Sequence, residues 1–409
     1  MDSTSERLAR ISALRPRPEV LGHRAETRPS GGSEELVTLL GAESRVNRLG
    51  THVLVKRRLS QPLPGNVDYR ALRLIASGPV EALSDPRQWL FLDTETTGLA
   101  GGTGTYAFLV GLAWWENDAF AVEQYFMRDH SEEASMLYGL LERFSRSPVL
   151  VTFNGKSFDW PLLQTRFQMR RLRTPQELSA HLDFLHPARQ FWRLCFESVA
   201  LAQLERHVLG LDRGHDIPSE TIPRRYFDFL RGNPPEEMAE VFRHNEMDLC
   251  GLASLALHIA RILADPERCA GRAEELYGVS RLLQRRGEDR LAGQIYRKAL
   301  EAGLPGKVEP IARRELALLA KRERDFELSN ALWEKLLRDP AEGLRAYEQL
   351  AIYYERYARL PQKAATLSRE ALVSLQEAFH AGRISSRQYT QWHGSFQHRL
   401  SRLTAKLAG

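Results

Sequence analysis

Cysteine is scarce in this 409-residue chain. Cys195, Cys250 and Cys269 are too few and too scattered for a disulfide framework or a zinc knuckle, and a reducing cytoplasm is the expected location. No apolar run approaches the roughly 18 residues of a membrane span. The opening MDSTSERLARISALRPRP has no apolar stretch of the kind that marks a secretory signal. No membrane partner is expected. Two familiar nucleotide motifs are missing as well. Asn154-Gly155-Lys156-Ser157 ends like a phosphate-binding loop, but Leu150 stands where that motif needs its first glycine. The glycine-rich loop of 98–104 is followed by strand-like TYAFLVGLAWW, whereas dinucleotide-binding glycines open a helix.

What is present is length and composition for two or three globular domains, at 43% hydrophobic and 27% charged residues. The net charge of +5 is unevenly spread. Residues 273–409 hold 24 Lys+Arg against 17 Asp+Glu, and the rest of the chain 33 against 35. Positive charge in the last third suits a polyanionic partner there, and equally a solvated helical surface. Residues 1–48, rich in Ser, Gly, Pro, Arg and Glu, read as a flexible segment with a short helix near Leu36–Leu40. Residues 49–88 read as a lead-in strand, near Thr51–Arg58, and a linker.

The chemistry is carried by acids. Leu90-Phe91-Leu92 reads as a buried strand, and Asp93 and Glu95 follow it one residue apart. Side chains alternate along a strand, so both carboxylates project to the same side. Two acids so close repel, and a divalent cation is the usual compensation; a solvated strand end is the plain alternative. Strands follow at 105–115, 119–127 and 149–153, with a helix between the last two for which Ser131 is the expected N-cap. A third acid, Asp159, stands where the fourth strand passes into a helix, as either an N-cap or a functional group. The stretch from His181 to His186 reads as a fifth strand, and its His-x-Asp-x-x-His spacing fits no zinc site. A long helix from Glu236 to about Leu263 places His244 and Asp248 one turn apart, at the edge of its apolar stripe.

Strand-end Asp-x-Glu, a junction Asp and a helical His-x-x-x-Asp occur in an order that resembles the DEDD exonuclease superfamily. The strings DTETTGLAGGTGTYAFLVGL, FNGKSFDWPLL, HLDFLHPAR and HNEMDLCGL make the chain similar to its YprB-type members. The resemblance implies an α/β fold, a ribonuclease H-like mixed five-stranded sheet flanked by helices, over residues 89–264. It implies Asp93, Glu95, Asp159 and Asp248 as ligands of two Mg²⁺ or Mn²⁺ ions in a 3′-to-5′ exonuclease. The partner is then nucleic acid, as single strands or 3′ ends. Thr94, Thr96, Gly98, Asn154, Lys156, Arg166 and Arg170 are its expected contacts. One branch of the superfamily places a tyrosine four residues before the last Asp, where this chain has His244. The other places a histidine five residues before, where this chain has Arg243. His244 is thus a candidate general base or a brace for Asp248.

From Glu274 the pattern is one of helical hairpins. Ala292-Tyr296-Ala299 recurs as Ser329-Trp333-Leu336 and as Ala364-Ser368-Ala371, which resembles tetratricopeptide repeats. An all-α repeat domain over 273–409 is expected, offering a surface to a protein partner or to nucleic acid. A non-catalytic scaffold built on the same fold is the competing function.

Overall fold

A strand buried on both faces of a sheet reads as an apolar run with no polar alternation, and Trp89–Leu92 is such a strand. The structure, a computed structural model, describes residues 31–60, 63–98, 104–117, 119–145, 149–173 and 178–408. Its sheet consists of β1 (Glu43–Asn47), β2 (Gly50–Leu59), β3 (Trp89–Thr96), β4 (Ala107–Glu116), β5 (Ala119–Phe126), β6 (Val149–Thr152) and β7 (Ala180–Asp183). The strand order is β1-β2-β5-β4-β3-β6-β7, with β3 antiparallel to β4 and parallel to β6. The five expected strands form the mixed ribonuclease H-like core of this sheet.

The sheet has seven strands rather than five. β2 pairs antiparallel with β5 from Val53↔Phe126 to Leu59↔Phe120, so the lead-in strand is an integral part of it. The described part of the segment expected to be flexible is also built in. Helix α1 (Gly31–Leu40) buries Leu36, and β1 pairs with β2. Most of the glycine-rich loop, residues 99–103, falls outside the described residues.

Helices α2 (Glu133–Phe144), α3 (Asp159–Met169), α4 (Leu185–Trp192), α5 (Ile222–Leu230) and α6 (Glu236–Ala264) flank the sheet. The N-cap expected at Ser131 lies elsewhere. A short 3₁₀ turn precedes α2, and the Asp129 carboxylate accepts from Ser131 N at 2.6 Å. By length and composition α6 is apolar enough to cross a membrane, but more than half of its apolar stretch is buried in the protein. Its Leu249, Leu252 and Ile259 share one core with Trp89 and Phe91 of β3. Each such side chain contributes roughly 1.5–3 kcal/mol on burial. Val241 and Phe242 enter a second core with Leu90 and Leu92. Gly111 on β4 permits this crossing, since a Cβ there would lie 2.2 Å from Asn245 Oδ1 of α6.

Beyond α6 come α7 (Ala273–Arg285), α8 (Asp289–Glu301), α9 (Glu309–Arg322), α10 (Phe326–Leu336), α11 (Gly343–Arg356), α12 (Pro361–His380) and α13 (Ser386–Ala408). The nine recurring positions picked out in the sequence fall on α8, α10 and α12, and all are buried. This helical region is docked on the sheet unit through α4. A Cβ at Gly278 would sit 2.1 Å from Gln190 O, and Trp192 Nε1 donates to Glu275 Oε1 at 3.1 Å.

Candidate metal centre

β3 carries Trp89 and Phe91 into the core, and the same parity brings Asp93 and Glu95 out beyond them. Asp159 is delivered by the loop from β6 into α3. That loop is shaped by Asp183, whose carboxylate accepts from Asn154 N and Lys156 N at 2.9 Å each, and from Leu185 N at 3.1 Å. Asn154 is left-handed (φ +72°), and a Cβ at Gly155 would lie 2.5 Å from Thr152 Cβ. Helix α6 supplies Asp248. Ligand atoms of Glu95, His244 and Asp248 lie within 4.8 Å of one another.

Three of the four acids are each held by a neighbour of their own. Asn245 Nδ2 donates to Asp93 Oδ2 at 2.8 Å, and Gln124 Nε2 fixes Asn245 through its Oδ1 at 2.9 Å. Thr94 Oγ1 donates to Asp159 Oδ1 at 2.5 Å. Arg213 reaches Asp248 Oδ1 at 2.5 Å, forms two bonds to Glu205, and touches Asp216 Oδ2 at 3.0 Å. A Cβ at Gly251 would lie 1.7 Å from Glu205 Oε1, so that glycine makes room for the Arg213 partner.

The electrostatics show what the centre is short of. Burial, then Asp248, Glu95 and Asp159, hold the Asp93 carboxyl well above its usual range, against the Asn245 hydrogen bond. Burial, Asp248, Asp159 and Asp216 do the same to Glu95. Asp159 is pushed up to about 6, chiefly by burial and in spite of the Thr94 bond. Among the described residues Arg213 ion-pairs with Asp248 and with none of the other three. Buried and half-buried oxygen donors that repel one another fit hard divalent cations of the Mg²⁺ or Mn²⁺ kind.

His244 is buried between two acids. Its Nδ1 is 2.6 Å from Asp216 Oδ1, and its Nε2 is 3.5 Å from Asp248 Oδ2 and 3.3 Å from Ser219 Oγ. Burial raises the Asp216 carboxyl, but His244 and Arg213 outweigh it and hold it below its usual range. Asp216 is therefore ionised, and it draws the imidazole proton to Nδ1. Nε2 is left facing the acid cluster.

The structure thus brings Glu95, Asp248 and His244 to ligand distance of one another and places Asp93 and Asp159 within electrostatic reach of them. The expected nucleic-acid contacts are placed unevenly. Thr94 braces Asp159. Thr96 Oγ1 donates to Gly98 O at 2.9 Å, closing a local turn at the rim. Asn154 is half-buried and Lys156 is exposed, both on the loop leading to Asp159. Arg166 is a correction. It is 1% exposed, ion-paired with Glu133 and stacked on the Tyr106 ring at 3.9 Å, and so is not available to a substrate. Arg170 also turns to Glu133, at 2.5 Å. The His-x-Asp-x-x-His stretch is accounted for locally, with His181 on Thr152 Oγ1 at 2.8 Å and Asp183 capping the loop. Arg213, Asp216, Glu205 and Asn245 carry no motif of their own in the sequence. A glycine inside the β4 apolar run was the available signal for a close approach such as that of Asn245.

A family model described as RNase H superfamily matches residues 90–260. The chain is 32% identical over 285 residues to the uncharacterized protein YprB of Bacillus subtilis (strain 168), across 69% of this chain and 68% of YprB. The family B DNA polymerase of the hyperthermophilic archaeon Pyrobaculum calidifontis is similar with a TM-score of 0.34 at 15% identity. That match covers 57% of this chain and 29% of the polymerase chain.

Proposed function

From a chain that belongs to the family of YprB, within the RNase H superfamily, we propose a metal-dependent 3′-to-5′ exonuclease acting on single strands or 3′ ends of nucleic acid. The observation that carries this reading is the cluster of four carboxylates, three of them held above their usual range, with Arg213 reaching only Asp248 among the four. Two Mg²⁺ or Mn²⁺ ions on Asp93, Glu95, Asp159 and Asp248 would activate the attacking water and neutralise the leaving 3′ oxygen. His244 takes the water's proton at Nε2, while Asp216 holds the ring through Nδ1. Asn245 and Thr94 keep Asp93 and Asp159 turned toward the substrate, and Arg213 orients Asp248. Lys156 and Asn154 meet the nucleic acid at the rim. The helices of 273–409 act in this reading as tetratricopeptide-like repeats that bind substrate or a protein partner, in a reducing cytoplasm.

The test is an assay of purified protein on end-labelled DNA and RNA oligonucleotides with Mg²⁺ or Mn²⁺. Shortening from the 3′ end is expected, with Asp93→Asn inactive. His244→Ala should turn over roughly 100- to 10,000-fold more slowly, the range for a lost general base. Equal activity in Asp93→Asn and the parent would make the chain a binding protein on a nuclease fold.

A further inference from the structure

A centre lined with acids repels the polyanion it is meant to cut, so the strand needs positive charge along its approach. Residues 273–409 carry the excess, 24 Lys+Arg against 17 Asp+Glu. Its first hairpin is also the part fixed to the sheet unit. Gly278 meets the α4 backbone, and Arg73 of the sheet unit pairs with Glu288 at 2.7 Å, just past the end of α7. Partial burial, and after it the like charge of Arg286 at that end, hold the Lys156 ammonium below its usual range against the opposite pull of Asp183. Lys156 in turn stands three residues before Asp159. On α7, Arg281 and Arg285 are one turn apart and line a groove of about 560 Å³ between α7, α8 and α9.

The two walls of that groove differ. Arg314 and Arg322 opposite are engaged with Glu315, Glu342 and Asp289. Arg281, Arg285 and Arg286 are exposed and have no acidic side chain at ion-pair distance among the described residues, Arg281 lying 5.6 Å over the Tyr277 ring and within electrostatic reach of Glu315. Tyr277 and Tyr296 in the groove are buried, so no ring is presented for a base to stack on. Solvent-facing guanidinium groups without stacking rings recognise phosphates and not base identity.

We propose that the strand entering the acid centre runs past Lys156 onto the first helical hairpin, where Arg286, Arg285 and Arg281 track its phosphates. The proposal rests on the nuclease reading above. It makes the hairpin a sequence-tolerant grip for the uncut part of a single strand, which holds long substrates and is beyond the reach of short ones.

The test uses the full chain and a variant carrying Arg281→Glu with Arg285→Glu. The control carries Arg369→Glu with Arg387→Glu, which makes the same charge change at two exposed positions far along the repeats. Binding of fluorescent oligothymidylate of increasing length is measured in Ca²⁺, and turnover of a thymidine 5′-monophosphate aryl ester in Mn²⁺. The groove variant should bind long strands at least about 10-fold more weakly, with a salt slope lower by roughly 0.7 for each phosphate no longer neutralised. It should hydrolyse the aryl ester like the parent, and the control should match the parent in both assays. Milder Arg281→Gln with Arg285→Gln protein, checked by thermal melting, separates weakened phosphate binding from misfolding. Equal weakening by the control, unchanged binding in both groove variants, or tighter binding of an acidic peptide than of an oligonucleotide of equal charge overturns the track while leaving the nuclease intact. A parent that neither binds nor cuts any oligonucleotide overturns both readings.

Discussion

Asp159 shows how an unneutralised acid centre weakens the protein that carries it. Its carboxyl is raised from an ordinary value near 3.8 to about 6, so the folded state holds the proton more tightly than the unfolded chain does. Its contribution to stability is full below the ordinary value and is lost as pH rises through about 6. Asp93 and Glu95 are shifted in the same direction and extend the loss upward. Metal-free protein should therefore melt at a lower temperature at pH 7 than at pH 5. Asp159→Asn keeps an acceptor for Thr94 and removes one titration. It should match the parent near pH 4.5 and melt higher than the parent at pH 7. Added Mg²⁺ should raise the parent more than the variant. A melting difference that stays the same from pH 4.5 to pH 7 would show that Asp159 is not under electrostatic strain.

The elements that position these acids were legible where the signal is local. The apolar run of β3 and the periodic stripe of α6 announce themselves, and both lead directly to carboxylates. Partners across long sequence gaps were not legible. β2 is a strand on its own pattern, but its place in the sheet depends on β5, and Glu133 precedes the Arg166 it neutralises by 33 residues. A charged helix face looks solvated until that partner is known. Arg213 and Asp216 lie in an irregular loop, where no period marks one side chain as turned inward. Gly111 sits between these cases, a visible glycine whose reason lies on another element. Gly111→Ala forces a methyl group to 2.2 Å from Asn245 Oδ1 and 2.8 Å from Leu249 Cδ1, so α6 must move off β4. A loss of about 1–3 kcal/mol is expected from such overpacking. Activity should fall further than in Asn245→Ala, because α6 also carries Asp248 and His244. Urea denaturation and turnover of the two variants check this, and an active, equally stable Gly111→Ala protein would remove the close-approach role.

At the scale of the whole molecule, the continuity of the core matters more than the number of helices. Trp192 of α4, Ile259 of α6, Leu283 of α7 and Trp333 of α10 belong to one buried cluster, so the C-terminal helices are fixed to the sheet unit through packed side chains. The tightest point of that attachment is backbone against backbone. A Cβ at Gly278 would lie 2.1 Å from Gln190 O and 2.8 Å from Phe191 Cα, and neither of these atoms can rotate away. At Gly293 on α8 a Cβ would meet only Leu316 Cδ1, at 3.8 Å, which is ordinary contact. Both glycines are inside helices, so alanine at either gains about 1 kcal/mol of helix propensity. The two substitutions therefore differ in the clash alone. Gly293→Ala should be neutral or stabilising. Gly278→Ala should displace α7 from α4 and stretch the Trp192–Glu275 bond, leaving the chain more open to limited proteolysis between residues 265 and 272. Its acid centre is untouched, so hydrolysis of a small ester should persist while binding of long strands weakens, since Arg281, Arg285 and Arg286 move with the helix. If Gly278→Ala resists protease and grips long strands as Gly293→Ala does, the seating of α7 on α4 is not what aligns the C-terminal helices with the centre.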